Sequence, residues 1–428
     1  MATYSSSTPV GAVEAGDYSR PLIVVTMLFF MWGLLTSLND VLIPHLKAIY
    51  TLTYVQAMLV QFCFFGAYFV VSIPAGMLIR RIGYQQGAVT GLAIAALGCA
   101  MFYPAAESGY ALFLLAFFVL ASGITILQVA ANPYVTALGS PKTASSRLTL
   151  TQAFNSLGTT VGPLFGGMLI LSSVVPATTA ELTAMTPAQQ TAYRATEAAT
   201  VQGPYAMLAL ALLLLAIVFA VVRLPKISHA GAAAGLAVAP PGRSIFRHRN
   251  LLFGTIAIFL YVGAEVSIGS FLVNFLGERN IANMAPASAA AYVSYYWGLA
   301  MTGRFIGFGV MRYVRPGTTL AFCATMSMAL VLVAILGEGR MAMWAILGVG
   351  LFNSIMFPTI FSMALHGLGD LTGRASGILC MAIVGGAIVP FVQGFVADNV
   401  GIQPSFYVPM ACYAFILFFG AKYARLYD

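Results

Sequence analysis

The chain has 428 residues, of which 60% are hydrophobic and only 7% are charged. Soluble globular domains carry about a quarter of their residues as Asp, Glu, Lys and Arg, so this composition excludes a cytosolic enzyme and a disordered linker and indicates a protein of the lipid bilayer. The net charge of +8 comes from basic residues scattered singly or in pairs between apolar runs, which argues against a nucleic-acid partner.

Long apolar segments follow one another through the chain. A helix that crosses about 30 Å of hydrocarbon needs roughly 20 predominantly apolar residues, and twelve segments qualify. We therefore predict an all-α integral membrane protein with transmembrane helices at 21–45, 56–79, 86–104, 110–137, 147–172, 204–223, 250–276, 287–311, 317–337, 341–366, 373–397 and 403–424.

The polar segments between the predicted spans suggest the domain organisation. Residues 1–20 are small and polar, as expected of a cytoplasmic N-terminal tail, and residues 224–249 form a small, basic, Pro/Gly-bearing cytoplasmic linker. The linker separates an N-terminal six-helix bundle, 21–223, from a C-terminal bundle with a short tail, 250–428. An external insertion, 173–203, contains Thr186, Pro187 and Gln189 in a capping-box arrangement, which predicts a short helix on the outer surface.

The distribution of basic residues supports this count and an orientation with both termini in the cytoplasm. Lysine and arginine concentrate in cytoplasmic connections of membrane proteins. With the N-terminus inside, 16 of the 20 basic residues fall in the tails and even-numbered connections. These residues are Arg20, Arg80, Arg81, Lys142, Arg147, Arg223, Lys226, Arg243, Arg247, Arg249, Arg304, Arg312, Arg315, Arg374, Lys422 and Arg425.

The two halves of the chain resemble each other weakly. A shift of 227 residues superposes Arg147 on Arg374 and Gly158 on Gly385, among other pairs. A shift of 225 superposes Pro133 on Pro358 and Asp40 on Glu265. Repeated six-helix halves are typical of a transporter with a central pocket between two pseudo-symmetric bundles.

Two acidic residues, Asp40 and Glu265, lie deep inside predicted spans one and seven. Asp40 lies seven residues before Lys47 and Glu265 thirteen before Glu278, which is about 10 and 20 Å along a helix. A carboxylate at such depth is costly and marks a functional candidate. We interpret both as proton-coupling residues; the alternatives are structural hydrogen-bond hubs, or sodium binding by an ionised carboxylate with backbone and amide oxygens.

Amide and aromatic side chains within the spans are candidates for substrate binding. Amides supply donors and acceptors for a hydroxyl-rich ligand, and aromatic faces cover its C–H surface. The alternative is that amides hold helices together and aromatic rings face lipid or core. The predicted substrate-binding residues are Gln128, Asn132, Gln152, Asn155, Asn274, Trp297 and Asn353.

Enzymatic and metal-binding signatures are absent from the sequence. It contains no G-x-S-x-G, Walker A or H-E-x-x-H motif, and its four histidines are scattered. The five cysteines all lie in apolar runs, so we expect free thiols without a metal site or disulfide framework. We predict a protein that is not an enzyme and needs no cofactor.

Four segments carry a family resemblance. They are LNDVLIPHLKAIYTLT (38–53), QVAANPYVTALG (128–139), LTQAFNSLGTTVGPLFGG (150–167) and FPTIFSMALHGLG (357–369). The chain resembles the fucose/galactose/glucose:proton symporter family of the major facilitator superfamily. That resemblance implies a twelve-helix symporter that imports a monosaccharide by rocker-switch alternating access, coupled to proton entry.

The resemblance also assigns individual residues. The span-one acid of the fucose member matches Asp40, and its span-five amides match Gln152 and Asn155. Its second essential carboxylate, in span four, matches Gln128, whereas a glutamine of its span seven matches Glu265. One acid is lost and another gained, which favours a glucose/galactose-type hexose over fucose.

We therefore expect a hexose:proton symporter of the inner membrane, surrounded by lipid and acting as a monomer. A sodium-coupled or facilitative sugar transporter of the same fold is the first alternative. A transport-dead nutrient sensor that recruits a partner through residues 224–249 is the second, although no signalling domain is evident.

Overall fold

The computed structural model describes residues 21–35, 54–166, 185–222, 224–225 and 248–427. The described residues form twelve long helical elements in the order predicted. They are α1 (Pro21–Leu35), α2 (Tyr54–Ile82), α3 (Tyr84–Ser108), α4 (Tyr110–Ala137), α5 (Ala144–Gly166), α6 (Pro187–Val221), α7 (Arg249–Gly277), α8 (Pro286–Val310), α9 (Pro316–Leu336), α10 (Gly339–Leu365), α11 (Thr372–Val400) and α12 (Ile402–Lys422).

The helices confirm the all-α membrane prediction. Within the described part of the chain, nine helices are long and apolar enough to cross a membrane, judged by length and composition. Side chains such as Ile217 and Phe391 are 59% and 76% exposed. Large apolar side chains on the outside of the molecule are expected where lipid replaces water as the surrounding solvent.

Single glycines join the first helices. Gly83 lies between α2 and α3, and Gly109 between α3 and α4, with φ of 84° and 96°. L-residues with a side chain adopt this backbone region only rarely, so glycine permits a reversal of direction within one residue. The first half therefore packs compactly, with α3 against α4 and α6, and α2 against α4.

The prediction of a separate short helix on the outer surface is wrong. Thr186 does cap a helix that begins at Pro187, and its hydroxyl accepts from the Gln189 backbone N–H, as the capping box predicts. The helix continues without interruption through Pro204 to Val221 and so includes predicted span six. Alanines favour helix between the cap and Pro204, and the proline does not end the helix.

Two later helices are interrupted near their middle. In α10, Ser354 and Ile355 separate the helical segments Gly339–Asn353 and Met356–Leu365. Pro358 has no N–H, so the Ser354 carbonyl four residues earlier has no helical donor. In α11, a 3₁₀ turn at Ala382–Val384 separates Thr372–Met381 from Gly385–Val400.

The second half repeats a contact of the first. A Cβ on Gly158 of α5 would lie 2.2 Å from the Phe30 carbonyl oxygen of α1. A Cβ on Gly385 of α11 would lie 2.0 Å from the Phe259 carbonyl oxygen of α7. The sequence pairing of Gly158 with Gly385 therefore corresponds to equivalent helix crossings, at which only glycine lets the backbones approach.

The two halves meet at the end of the helices where α6 ends and α7 begins, which we call the linker end. There α2 packs on α11, and a Cβ on Gly76 would lie 2.7 Å from the Gly373 carbonyl oxygen. The hydroxyls of Ser145 on α5 and Ser362 on α10 are 2.6 Å apart. These contacts between the halves close the linker end.

Candidate functional site

Glu265 lies in the interior of α7. It is 16 residues after Arg249 and 12 before Gly277, or about 24 and 18 Å along the helix. Tyr261, one turn earlier, donates a 2.7 Å hydrogen bond to its Oε1. The side chain of Glu265 is 13% exposed, and Arg304 Nη2 on α8 lies 3.7 Å from Oε1.

Arg304 was assigned by sequence to the connection between spans eight and nine, and the structure corrects this assignment. The residue lies in α8, six residues before the helix ends at Val310, and its side chain is 12% exposed. Its guanidinium points into the protein and pairs with Glu265. The available signal was a single arginine inside a predicted span, GLAMTGRFIGFG, which is costly unless a buried acid accompanies it.

A second polar pair extends this group to α10. Asn353 Nδ2 donates a 2.7 Å hydrogen bond to the hydroxyl of Tyr296 on α8, and Asn353 is fully buried. Its Oδ1 has no hydrogen-bond partner among the residues that the structure describes. The Asn353 amide thus keeps one acceptor available for a ligand or water.

Three predicted amides on α4 and α5 are buried and incompletely bonded. Gln128 Nε2 donates to the hydroxyl of Tyr68 on α2 at 2.7 Å, while its Oε1 has no partner among the described residues. In the same described part of the chain, Asn132, one turn later on the same face of α4, has partners for neither amide atom, and Gln152 Nε2 on α5 also has none. Each of these residues is at most 5% exposed.

Buried polar atoms without partners are rare because each costs the desolvation of the group. Four of the predicted binding amides have such atoms: Gln128, Asn132, Gln152 and Asn353. Together they offer donors and acceptors in the proportion that a hydroxyl-rich molecule can satisfy. This arrangement suits a ligand whose own hydroxyls complete the hydrogen bonds.

The other predicted binding residues lie differently. Asn155 Nδ2 donates to the Phe29 carbonyl of α1 at 2.9 Å, which is a contact between helices. Trp297 is 40% exposed, packs edge-on against Tyr296 and lies over Gly269 of α7. Asn274 is exposed and, nine residues after Glu265, lies on the opposite side of α7. Asp40 lies outside the described residues.

One hydrogen-bonded path crosses between the halves. Arg304 Nη1 donates to Ser156 Oγ of α5, and Ser156 Oγ donates to the Gln152 carbonyl at 3.1 Å. Through the ion pair of Arg304 with Glu265, Tyr261 and Glu265 in the second half are linked to the backbone of Gln152 in the first. An ionisable acid, a fixed cation and free amides can together bind a proton and a polar solute.

No cluster of three or more His, Cys, Asp or Glu side chains that could hold a metal ion occurs in the part of the chain that the structure describes. The five cysteines are free, and four of them are buried.

Comparison with known proteins identifies the family. The Major Facilitator Superfamily profile matches residues 23–383. The chain is 56% identical to a glucose/galactose transporter of Brucella abortus over 405 residues, 94% of each chain. It is 37% identical to the L-fucose-proton symporter of Escherichia coli over 413 residues, 95% of this chain and 94% of that one.

The fold matches a solved transporter. The crystal structure of FucP, a Major Facilitator Superfamily transporter in the outward conformation, superposes with a TM-score of 0.87 and 35% identity, over 95% of this chain and 99% of that one. The predicted resemblance is confirmed, and the relatives are transporters rather than enzymes. This chain belongs to the Major Facilitator Superfamily.

Proposed function

We propose that this chain is a secondary active importer of a glucose/galactose-type hexose, driven by proton symport through alternating access. The relatives support both parts of the proposal: a glucose/galactose transporter is 56% identical and an L-fucose-proton symporter 37% identical over nearly the whole chain. The observation that carries it is the contact of Glu265, deep in α7, with both Tyr261 and Arg304.

Glu265 is the proton-binding group in this proposal. A carboxylate at this depth can take up a proton from one side and release it to the other as water access alternates. Asp40, in the segment that resembles the fucose symporter, is the second proton-coupling residue. An Asp40→Asn variant keeps the shape but not the charge, so it should lose gradient-driven accumulation while retaining sugar exchange.

The hexose binds between the halves. Gln128, Asn132 and Gln152 of the first half and Asn353 of the second have buried polar atoms that no described residue satisfies. Sugar hydroxyls would complete these bonds, and Trp297 is the proposed aromatic cover for the sugar's C–H face. Asn155 and Asn274 are weaker candidates, because one bonds the backbone of α1 and the other lies across α7 from Glu265.

The orientation follows from the basic residues. Placing residues 1–20, the 224–249 linker and the C-terminal tail in the cytoplasm satisfies the positive-inside rule, with the chain in the inner membrane as a monomer. Bundles 21–223 and 250–428 are then the two moving bodies. With the linker end facing the cytoplasm, the contacts between α2 and α11 correspond to a state closed to the cytoplasm.

Radiolabelled hexose uptake into proteoliposomes, with proton and sodium gradients imposed separately, tests the proposal. We expect glucose or galactose to accumulate only with an inward proton gradient. Accumulation driven by sodium alone would indicate the sodium-coupled alternative, and equilibration without accumulation a facilitative transporter. Sugar binding without any flux would indicate a sensor.

A further inference from the structure

Arg304 contacts three different parts of the protein. Its Nη2 lies 3.7 Å from Glu265 Oε1 on α7. Its Nε donates a 3.2 Å hydrogen bond to the Ser354 carbonyl of α10. Its Nη1 donates to Ser156 Oγ on α5, in the opposite half of the chain. One guanidinium therefore connects the acid, the interruption of α10 and the other half.

The Ser354 carbonyl is available because Pro358 cannot donate to it. A guanidinium is planar and presents its five N–H groups in a fixed fork, so a bond at Nε fixes the direction of the two Nη groups. The helix interruption thus orients Arg304 toward both Glu265 and Ser156. The contact with Ser156 depends on this orientation.

Ser156 can only accept from Arg304 in this geometry. Its hydroxyl has a single proton, which it donates to the Gln152 carbonyl on its own helix. The oxygen lone pairs then face the guanidinium. Helices α5 and α8 run alongside each other, with Phe154 against Phe305 as a further contact, so Arg304 and Ser156 join the halves within an extended interface.

The charge on Glu265 determines how firmly Arg304 is held. The polar groups that face Glu265 in the described part of the chain are Tyr261 on its own helix, Arg304 and Tyr296 on α8, and Tyr413 on α12. Arg304 is the cation of this group. When Glu265 binds a proton, the guanidinium loses its counter-charge in a poorly hydrated site, where such a loss is costly.

We propose that Arg304 is a positioning residue of the symport cycle, which transmits the charge state of Glu265 to the contact between the halves. Ionised Glu265 holds Arg304 against Ser156 and stabilises the state closed at the linker end. A proton from the open side neutralises Glu265, and the released guanidinium lets the α5–α8 contact rearrange. This inference rests on the proposed proton symport.

The test measures sugar counterflow against pH in proteoliposomes, together with proton-driven accumulation. The Arg304→Gln substitution removes the cation beside Glu265 and makes protonation of Glu265 easier. The pH midpoint of counterflow should therefore move upward by about one unit or more. Arg340→Gln, an exposed arginine at the far end of α10, is the matched control and should behave like the parent. An unchanged midpoint in Arg304→Gln would overturn the proposal.

A double variant makes the test independent of folding problems. If Arg304 acts through Glu265, counterflow of Glu265→Gln with Arg304→Gln should match that of Glu265→Gln alone within about twofold. The double variant removes both charges of the pair, so it avoids the unpaired buried charge that could unfold the single Arg304 variant. A further large loss in the double variant would mean that Arg304 acts independently of Glu265.

A third variant isolates the contact between the halves. Ser156→Ala removes the acceptor and leaves the Glu265–Arg304 pair, so accumulation should fall about fivefold or more while the pH midpoint of counterflow is retained. Accumulation equal to that of the parent would remove Ser156 from the coupling path. A parent protein that fails to accumulate sugar with a proton gradient would instead refute the proposed function, and that measurement is made first.

Discussion

Ser376 of α11 donates a 3.0 Å hydrogen bond to the carbonyl of Val129 on α4, across the two halves of the chain. That carbonyl is available because Pro133, four residues later, has no N–H. The equivalent proline of the second half, Pro358, frees the Ser354 carbonyl, which Arg304 occupies. A carbonyl freed by a proline thus bonds the two halves in one place and bonds Arg304 in the other.

We predict that Ser376→Ala weakens closure at the linker end. The variant leaves a buried carbonyl without its donor, which costs about 1–3 kcal/mol and shifts the equilibrium toward the open state by about fivefold or more. Cys380, one turn after Ser376 and fully buried, can report the shift through its alkylation rate in a background where the other cysteines are replaced.

The matched control for this prediction is Ser122→Ala, because the Ser122 hydroxyl bonds only to the Phe118 carbonyl of its own helix. The alkylation rate of Cys380 in the Ser122→Ala variant should equal that of the parent. Equal rates for Ser376→Ala and Ser122→Ala would mean that the Ser376 contact does not hold the halves together.

Gly385→Ala should strongly destabilise the protein. The new Cβ would lie 2.0 Å from the Phe259 carbonyl oxygen, so α7 and α11 must separate at a backbone contact. Overpacking of this kind costs about 1–3 kcal/mol or more. Gly298→Ala is the control, because its Cβ would meet no atom within 4 Å and alanine favours helix. Thermal unfolding in detergent should give a lower midpoint for the first variant and not for the second.

Asn132→Leu should stabilise the sugar-free protein and abolish sugar binding. Neither amide atom of Asn132 has a partner within the described ranges, so a side chain of similar size without polar atoms removes a desolvation cost of about 1–3 kcal/mol. Asn155→Leu should lower the stability of the protein, because it removes the hydrogen bond to the Phe29 carbonyl. Thermal unfolding and calorimetric hexose binding measure the two effects; a less stable Asn132→Leu protein would indicate that this amide is structural.

The helices and the buried acid could be predicted from the sequence, but the contacts between the helices could not. Hydropathy alone predicts the twelve elements, and the rarity of charges inside a membrane selects Glu265. Asn132 and Asn155 look alike in sequence, since what distinguishes them is whether another helix brings a partner. Arg304 was misplaced because its role depends on the rotation of α8 relative to α7, which periodicity in so uniformly apolar a helix does not determine.

The contact of α5 with α1 and the contact of α11 with α7 also refine the alignment of the internal repeat. Phe30 and Phe259 meet equivalent glycines and are 229 residues apart, whereas the shift that pairs Asp40 with Glu265 is 225. The helix crossings therefore give a register that differs from that of the 225-residue shift by four residues, which is one helical turn or about 6 Å. The weak sequence repeat indicated the right helices, but only backbone contacts fix their register.

Gln128→Glu should be tolerated and should change the pH dependence of transport. The new carboxylate would accept from the Tyr68 hydroxyl, which now accepts from Gln128 Nε2. Gln393→Glu is the control, since Gln393 bonds to Ser405 of α12 within the second half. We expect expression and folding for the first variant and a clear loss of thermal stability for the second; misfolding of both would place Gln128 in a dry helix contact.

Glu265→Gln separates coupling from sugar binding. Glutamine keeps the size of the side chain and can still accept from Tyr261, but it carries no charge and binds no proton in this range. We therefore expect calorimetric hexose affinity within about threefold of the parent, because uncharged hydrogen bonds contribute modestly, and complete loss of uphill accumulation. Counterflow should persist and lose the part of its pH dependence that Glu265 contributes. Loss of hexose binding would instead make Glu265 a ligand for a sugar hydroxyl, and unchanged accumulation would leave Asp40 as the intramembrane acid that carries the proton.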